Sequence, residues 1–325
     1  MVKISRTFKL MAFGLAMASG LAHAQNAQSY PNRPVKIVVP FAAGGPADNY
    51  ARFMAQRLTD ELKQSFVIDN KPGAGSIIGT DFAAKSPADG YTLLMMSNTQ
   101  TVNESLIPKK PFALMKDFVG IAPVNYSNLL LVVHPSVPVK NVSELIALAK
   151  TKPGKLNYAS SGNGTPYHMA GELFKYMAGV DMTHVPYKGS SGARTDIVGG
   201  QVDVMFDAET TMAEFARNGQ VRMLGATGVT RSTNLPDVPT VAETVPKYEA
   251  TIWLGFMAPK GTPADIVTKL NAEMRKIVNN PDVKTTWAKQ GAVPMSMTVA
   301  EFDQYLNADI AKWANIVKVS GAKAD

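Results

Sequence analysis

From Val35 onward, β-branched apolar runs alternate with amphipathic helical stretches, and the joints between them are rich in glycine. No other feature of the sequence narrows the fold as far. Val35–Val39 reads as a buried strand that stops at Pro40 and a loop of Phe41, Ala42, Ala43, Gly44 and Gly45. Asp48 then opens a helix with Ala51, Met54, Ala55 and Leu58 on one face. Val67-Ile68 is a second short strand, closed by residues 71–75, and a helix follows over residues 77–85. After the Asp89-Gly90 turn, residues 91–96 form a third strand. This βαβαβ rhythm predicts a parallel sheet with right-handed crossovers.

Residues 119–124 and 129–133 read as two further strands, the second a passage into a new unit. From Ser143 the rhythm begins again. Strands are expected over 156–159, 183–187, 202–206 and 221–226, and helices over 143–150, 166–177, 192–199 and 212–217. An extended run, 248–257, leads to breaks at Pro259, Gly261 and Pro263, and two long amphipathic helices, 264–279 and 299–319, close the chain. Those helices have no sheet partners of their own, so they pack most economically on the first unit. The expected division is a discontinuous domain of residues 25–124 and 250–325 with residues 125–249 inserted as a second. Two crossings, near 125 and 250, make a hinge, and the cleft between the units is the default ligand site.

Residues 1–24 read as a secretory signal peptide cleaved after Ala24. Lys3, Arg6 and Lys9 form its positive start, residues 10–21 its apolar centre, and Ala22-His23-Ala24 the small-x-small cleavage pattern. A membrane anchor would need about 20 apolar residues. No later stretch is long and apolar enough to span a bilayer, so the protein is expected to be exported, soluble and periplasmic. Removing the leader leaves 301 residues, enough for about two domains. Hydrophobic residues at 46% and charged residues at 18% support a large core and argue against disorder. The formal charge of +7 loses the leader's three bases and becomes +4, and no basic run exceeds Lys109-Lys110. Nucleic acid is therefore not an expected partner. The absence of cysteine excludes disulfides, thiolate metal sites, Fe–S clusters, cysteine nucleophiles and a lipoprotein anchor.

Three glycine-rich loops, at 41–48, 73–79 and 160–165, each follow a strand and open a helix. In a parallel α/β sheet such loops gather at the carboxyl ends of the strands, where ligands bind. Glycine permits close backbone approach, and helix N-terminal N–H groups attract anions. The first two loops contain no arginine. Their expected anion-binding groups are thus backbone donors around Phe41, Ala43, Gly44 and Gly45 and around Gly73, Ala74 and Gly75. Hydroxyls of Ser76, Ser97, Thr99, Ser160, Ser161 and Thr165 assist, and Asn98, Gly162, Gly164 and His168 complete the candidate set. Dipoles and hydroxyls suit a small carboxylate better than a polyphosphate. Asp48 reads equally well as a first-turn residue favoured by the helix dipole and as a ligand contact. Asp207 follows the strand 202–206, where it either meets a ligand amine or hydroxyl or orders the next turn. Arg194 reads as facing either the cleft or solvent, with solvent favoured.

Other chemistries fit poorly. Gly73, Gly75 and Gly79 give a spacing one residue too long for the dinucleotide fingerprint, and no phosphate-binding P-loop motif is present. The run Tyr158 to Gly162 lacks the first glycine of a nucleophile elbow. No pair of histidines has zinc-ligand spacing. No metal, cofactor or catalytic residue is expected.

The ordered motifs resemble the periplasmic substrate-binding receptors of tripartite tricarboxylate transporters, the Bug or TctC-like family. The matching stretches include Tyr30-Pro31-Asn32-Arg33-Pro34, Pro40-Phe41-Ala42-Ala43-Gly44-Gly45 with Asp48, and Asn70-Lys71-Pro72-Gly73-Ala74-Gly75. Farther on come Tyr158-Ala159-Ser160-Ser161-Gly162 with Gly164, Thr165 and His168, then Val185-Pro186-Tyr187-Lys188-Gly189 and Gly199-Gly200-Gln201-Val202-Asp203. Ser76 departs from a position where that family commonly has Gly, and Ser191-Gly192 from a usual Gly-Pro. The resemblance implies an α/β, two-lobed Venus-flytrap fold, type II-like, with a hinge between two Rossmann-like lobes. It implies that the loops at Phe41–Asp48 and Gly73–Ser76 hold a ligand carboxylate, with Ser160–His168 and a residue near Asp207 supplied by the second lobe.

The leading expectation is a monomeric, non-enzymatic receptor that passes a small organic carboxylate to the membrane subunits of such a transporter. Two alternatives stay open on the sequence: an exported hydrolase using Ser160, Ser161 and His168, and a sensor presenting ligand to a membrane kinase.

Overall fold

The computed structural model describes residues 29–324. The signal-peptide reading of residues 1–24 lies outside the described residues. In the first half of the chain, β1 (Val35–Val39), α1 (Pro46–Leu62), β2 (Phe66–Asn70), α2 (Ile77–Ala84) and β3 (Thr92–Ser97) follow the expected alternation. Strands β2, β1 and β3 lie side by side and parallel. Helix α1 starts two residues before Asp48, because Pro46 is pre-set for a first helical position. Its buried face carries Tyr50, Ala51, Met54, Ala55 and Leu58, a helical period laid over the strands.

Helix α3 (Asn98–Leu106) follows β3 with no intervening loop, and a short turn of helix, α4 (Leu114–Asp117), leads into β4. The polar sequence of α3 hides its helical character, and Ser97 supplies the missing signal as an N-terminal cap in a capping box with Gln100. Strand β4 (Phe118–Val133) is one continuous strand where the sequence suggests two. Its first part, through Asn128, pairs antiparallel with β9 (Thr251–Pro259), which in turn pairs antiparallel with β3. Its last part, Leu129–Val133, pairs with β7 (Val204–Ala208) in the second lobe.

The second lobe contains α5 (Val142–Thr151), β5 (Asn157–Ser160), α6 (Pro166–Ala178), β6 (Thr183–Pro186), α7 (Ser190–Val198), β7, α8 (Glu209–Arg217) and β8 (Arg222–Ala226). Strands β6, β5 and β7 are parallel, and β8 joins β4 antiparallel. Each lobe is therefore a parallel βαβ set, as the rhythm predicts, completed by antiparallel strands that the rhythm does not reveal. The extra pairings come from chain that returns between lobes, and a returning strand can run either way.

Thr227 ties the two passages between lobes together. Leu129 N–H donates to its Oγ1 at 2.8 Å, its hydroxyl donates to the Ala250 carbonyl, and Ala250 N–H donates back to the Thr227 carbonyl at 3.0 Å. The chain ends in α9 (Ala264–Asn279), α10 (Pro281–Ala288), β10 (Ala292–Pro294) and α11 (Val299–Ser320). Strand β10 pairs with the first part of β4, and α9 packs against β4 and α1. Helix α11 lies mainly on α3 but also reaches α6, where Trp313 shares a cluster with Val102, Leu106 and Met169. Among the described residues, no helix is long and apolar enough to cross a membrane.

Candidate functional site

Five helices begin at the cleft between the lobes: α1, α2 and α3 from the first, α6 and α7 from the second. Two of these starts are capped by side chains. Ser97 accepts from Thr99 N–H at 3.1 Å, and the Thr165 hydroxyl accepts from His168 N–H at 3.4 Å. The other three, with N-caps Gly45, Ser76 and Gly189, have no side-chain cap. A helix start has N–H groups without intrahelical partners and a partial positive charge. Three such starts face one cleft.

The first loop is held by a side-chain network. Asp48 is buried at 3% exposure and accepts from Gly44 N–H (3.0 Å), Arg52 Nε (2.9 Å), Arg52 Nη2 (3.0 Å) and Asn70 Nδ2 (2.9 Å). Asn70 also donates to the Phe41 carbonyl at 3.1 Å. Burial alone would raise the Asp48 carboxyl, but the bonds from Arg52, Gly44 and Asn70 outweigh it and hold its pKa below the ordinary value. Both carboxylate oxygens are engaged, so the structure favours the anchoring reading of Asp48 over ligand contact.

The second loop is built from backbone strain. Gly73, Ala74, Gly75 and Ser76 all have positive φ, at 130°, 47°, 59° and 76°. Glycine adopts this region freely, whereas Ala74 and Ser76 do so at a cost. Ser76 therefore occupies a left-handed N-cap, a conformation that explains why glycine is the easier residue there. Asn103 Nδ2 donates to the Gly75 carbonyl (2.9 Å), and Gln100 Nε2 donates to Ser76 Oγ (3.2 Å).

In the second lobe, Ser160 is fully buried. Its Oγ accepts from Gly162 N–H at 3.1 Å and lies 2.6 Å from His184 Nε2. His168 Nδ1 accepts from Gly164 N–H at 3.1 Å, and its ring stacks on His184 at 4.1 Å. These contacts fold the loop onto itself. They direct Ser160 to His184 rather than to His168, the base the hydrolase alternative requires.

Arg194 is buried at the cleft, not exposed to solvent, the reading the sequence favours of the two. Its Nη1 donates to Asp207 Oδ2 at 3.0 Å and to Ser190 Oγ at 3.3 Å. Its Nη2 crosses the cleft to the Gly44 carbonyl at 2.6 Å. A second crossing joins Ala42 N–H to the Lys188 carbonyl at 3.3 Å. Burial pushes the Asp207 carboxyl up, and Arg194, the Ala208 N–H and Tyr167 pull it back without cancelling the shift.

With the lobes in contact, two small cavities remain. One, of ≈ 20 Å³, is lined by Phe41, Gly45, Ser97, Thr99 and Ser161 among the expected residues. The other, of ≈ 170 Å³, is lined by Phe41, Gly73, Ala74, Gly75, Ser76, Ser161 and Gly162. Phe41 and Ser161 belong to both. Ala43, Gly44, Asp48, Asn98, Ser160, Gly164, Thr165, His168 and Asp207 line neither. Asn98 Nδ2 donates instead to the Thr251 carbonyl on β9, at 2.9 Å.

Residues 50–322 match the model of the tripartite tricarboxylate transporter family receptors. The chain belongs to this receptor family. BugT from Bordetella pertussis is 37% identical over 324 residues, covering 98% of this chain and 99% of that protein. Two solved structures from R. palustris are similar throughout. A protein with adipate has 35% identity and a TM-score of 0.88, covering 90% of this chain and 99% of that one. MatC with bound malate has 32% identity and a TM-score of 0.85, covering 89% of this chain and 100% of that one.

Within this receptor, the sequence reading missed a fourth loop of the same kind. Residues 187–189 follow β6 and open α7, and Gly189 with Ser190 lines the smaller cavity while Tyr187 and Lys188 line the larger. Strand, glycine and helix succeed one another there as in the other three loops, so the same criterion finds it. Tyr167 and Ile252 also line the smaller cavity. Neither carries a local signal, since one sits on an apolar helix and the other on an apolar strand.

Proposed function

We propose that this receptor captures a small organic carboxylate between its lobes and delivers it to the membrane subunits of a tripartite tricarboxylate transporter. The observation that carries the proposal is the convergence of three helix starts without side-chain caps on one cleft. Their N–H groups suit a carboxylate, which needs several donors and one compensating charge. The adipate and malate held by the two similar proteins are of that class. In this reading the ligand lies against the backbone of Gly45 and Ala47, the loop Gly73 to Ser76, and Ser161. Asp48, Thr165 and His168 shape the loops around it. Binding requires no bond-making, so the protein acts as a receptor rather than an enzyme.

In this proposal residues 29–124 with 250–324 form the body of one lobe and residues 129–249 that of the other, closing about the passages that Thr227 ties. The receptor works in the periplasm as a monomer after cleavage at Ala24. A thermal-shift screen of mono-, di- and tricarboxylates tests the central claim. A ligand at 100 times its Kd should stabilise the fold by about 2.7 kcal/mol. A screen in which no carboxylate stabilises a folded sample sinks the reading.

A further inference from the structure

We propose that Arg194 sets the ligand class: by neutralising Asp207, it makes the cleft selective for plain carboxylic acids over their α-amino counterparts. The inference rests on the carboxylate-receptor reading above and sharpens it. Asp207 is the penultimate residue of β7 and is fully buried. Ser190 and Tyr167 line the smaller cavity. Arg194 Nη1 lies 3.3 Å from Ser190 Oγ and 3.0 Å from Asp207 Oδ2, so the guanidinium stands between the cavity wall and the carboxylate. The other carboxylate oxygen accepts Ala208 N–H at 2.9 Å.

The charges then decide what enters. Arg194 and Asp207 neutralise each other. Asp48 is saturated by Arg52, Asn70 and Gly44 N–H. Among the described residues, neither cleft cavity has an Asp or Glu in its lining, and the larger has Lys188. A ligand carboxylate meets N–H donors there. A ligand ammonium would lose its water and gain no anionic partner, a strongly unfavourable exchange. Arg194 also donates to the Gly44 carbonyl across the cleft, so the group that occupies Asp207 also joins the two lobes.

The test uses matched pairs, succinate with aspartate and adipate with 2-aminoadipate, by calorimetry on the leader-free protein. The wild type should prefer each plain acid over its amino partner by at least about ten-fold, or ~1.4 kcal/mol. Arg194→Met uncovers Asp207 and should shift that ratio at least about ten-fold toward the amino acids. Arg194→Lys keeps a cation beside Asp207 and should keep the wild-type ratio. The double change Arg194→Met with Asp207→Asn removes both charges and should gain no amine binding. Arg194→Gln serves if the methionine variant does not fold. A wild type that binds aspartate or 2-aminoadipate as tightly as the plain acid overturns the proposal. So does a folded methionine or glutamine variant with no gain for either amine. The carboxylate-receptor reading fails on a different result, a wild type that no acid of the wider screen stabilises.

Discussion

The two loops of the first lobe reach the same cleft by opposite means. The loop from Phe41 to Gly45 is held from outside, by the carboxylate of Asp48 with Arg52 and Asn70, and only Gly44 within it has positive φ. The loop from Gly73 to Ser76 is held from inside, by four successive positive φ values and a side-chain donor onto the Gly75 carbonyl. A polar network tolerates small changes in backbone shape but depends on charge. A run of left-handed residues is insensitive to charge but has no room for a new side chain. The two loops should therefore fail under different perturbations.

The largest effect is expected at Gly75, where φ is +59° and an added Cβ would lie 2.5 Å from the Asn163 carbonyl oxygen of the other lobe. Gly75→Ala combines about 1–2 kcal/mol of left-handed strain with about 1–3 kcal/mol of overpacking. Because the obstacle sits across the cleft, much of this should appear as lost affinity, on the order of 100-fold by calorimetry. Affinity within a few-fold of wild type would mean that the cleft does not close on this loop.

Asp48→Asn should come next and should act mainly on stability. It keeps the size of the side chain but removes the charge that Arg52 and Gly44 N–H engage, a change worth about 2–3 kcal/mol for hydrogen bonds to a charged group. The effect has a pH signature. The Asp48 carboxyl is held below its ordinary value of 3.8, so its contribution is complete above that pH and is lost as pH falls through the lower folded value. Denaturant melts of wild type and variant should differ fully at neutral pH and converge in strong acid. A gap that persists there would assign the effect to shape alone.

Gly45→Ala gives the sharpest contrast with Gly75→Ala, since the same chemical change meets a different backbone. Gly45 has φ −89°, open to any residue, and its added Cβ would approach Ser190 Oγ at 3.0 Å. A hydroxyl can turn aside where a backbone carbonyl cannot. The expected loss is under about 1 kcal/mol, or a few-fold in affinity. The smallest effect belongs to Ser76→Gly. Relief of about 1–2 kcal/mol of strain is offset by about 0.5–1.5 kcal/mol for the lost Gln100 hydrogen bond, so thermal stability should hardly move. A large loss would show that the Ser76–Gln100 contact matters more than the loop's own strain.

Much of the fold was legible in the sequence because its signals are short-ranged. The helical period of Ala51, Met54, Ala55 and Leu58 and the apolar strand Val35–Val39 report burial on one element at a time. Helix α3 escaped because its residues Asn98 to Asn103 are mostly polar yet buried against α11 and the loop at Gly75. Pattern reading equates burial with apolar character, and a helix buried through hydrogen bonds defeats it. Strand β4 was read as two because it serves two sheets, and nothing local marks where one partner replaces another.

The sequence by itself determined the alternation of strands and helices, the placing of glycine-rich loops at strand ends, and the family to which the chain belongs. Periodicity, turn chemistry and motif order all act over a few residues, and they leave the same trace wherever the segment ends up. Tertiary structure alone decided which partner each polar group takes. It gave Ser160 to His184 rather than His168, turned Asp48 into an anchor, and drew Arg194 from expected solvent exposure into a bond with Asp207 and with Gly44, 150 residues away. Those choices follow from burial, which makes an unpaired polar or charged group so unfavourable that the nearest available partner is taken. Sequence spacing carries no record of which partner that will be.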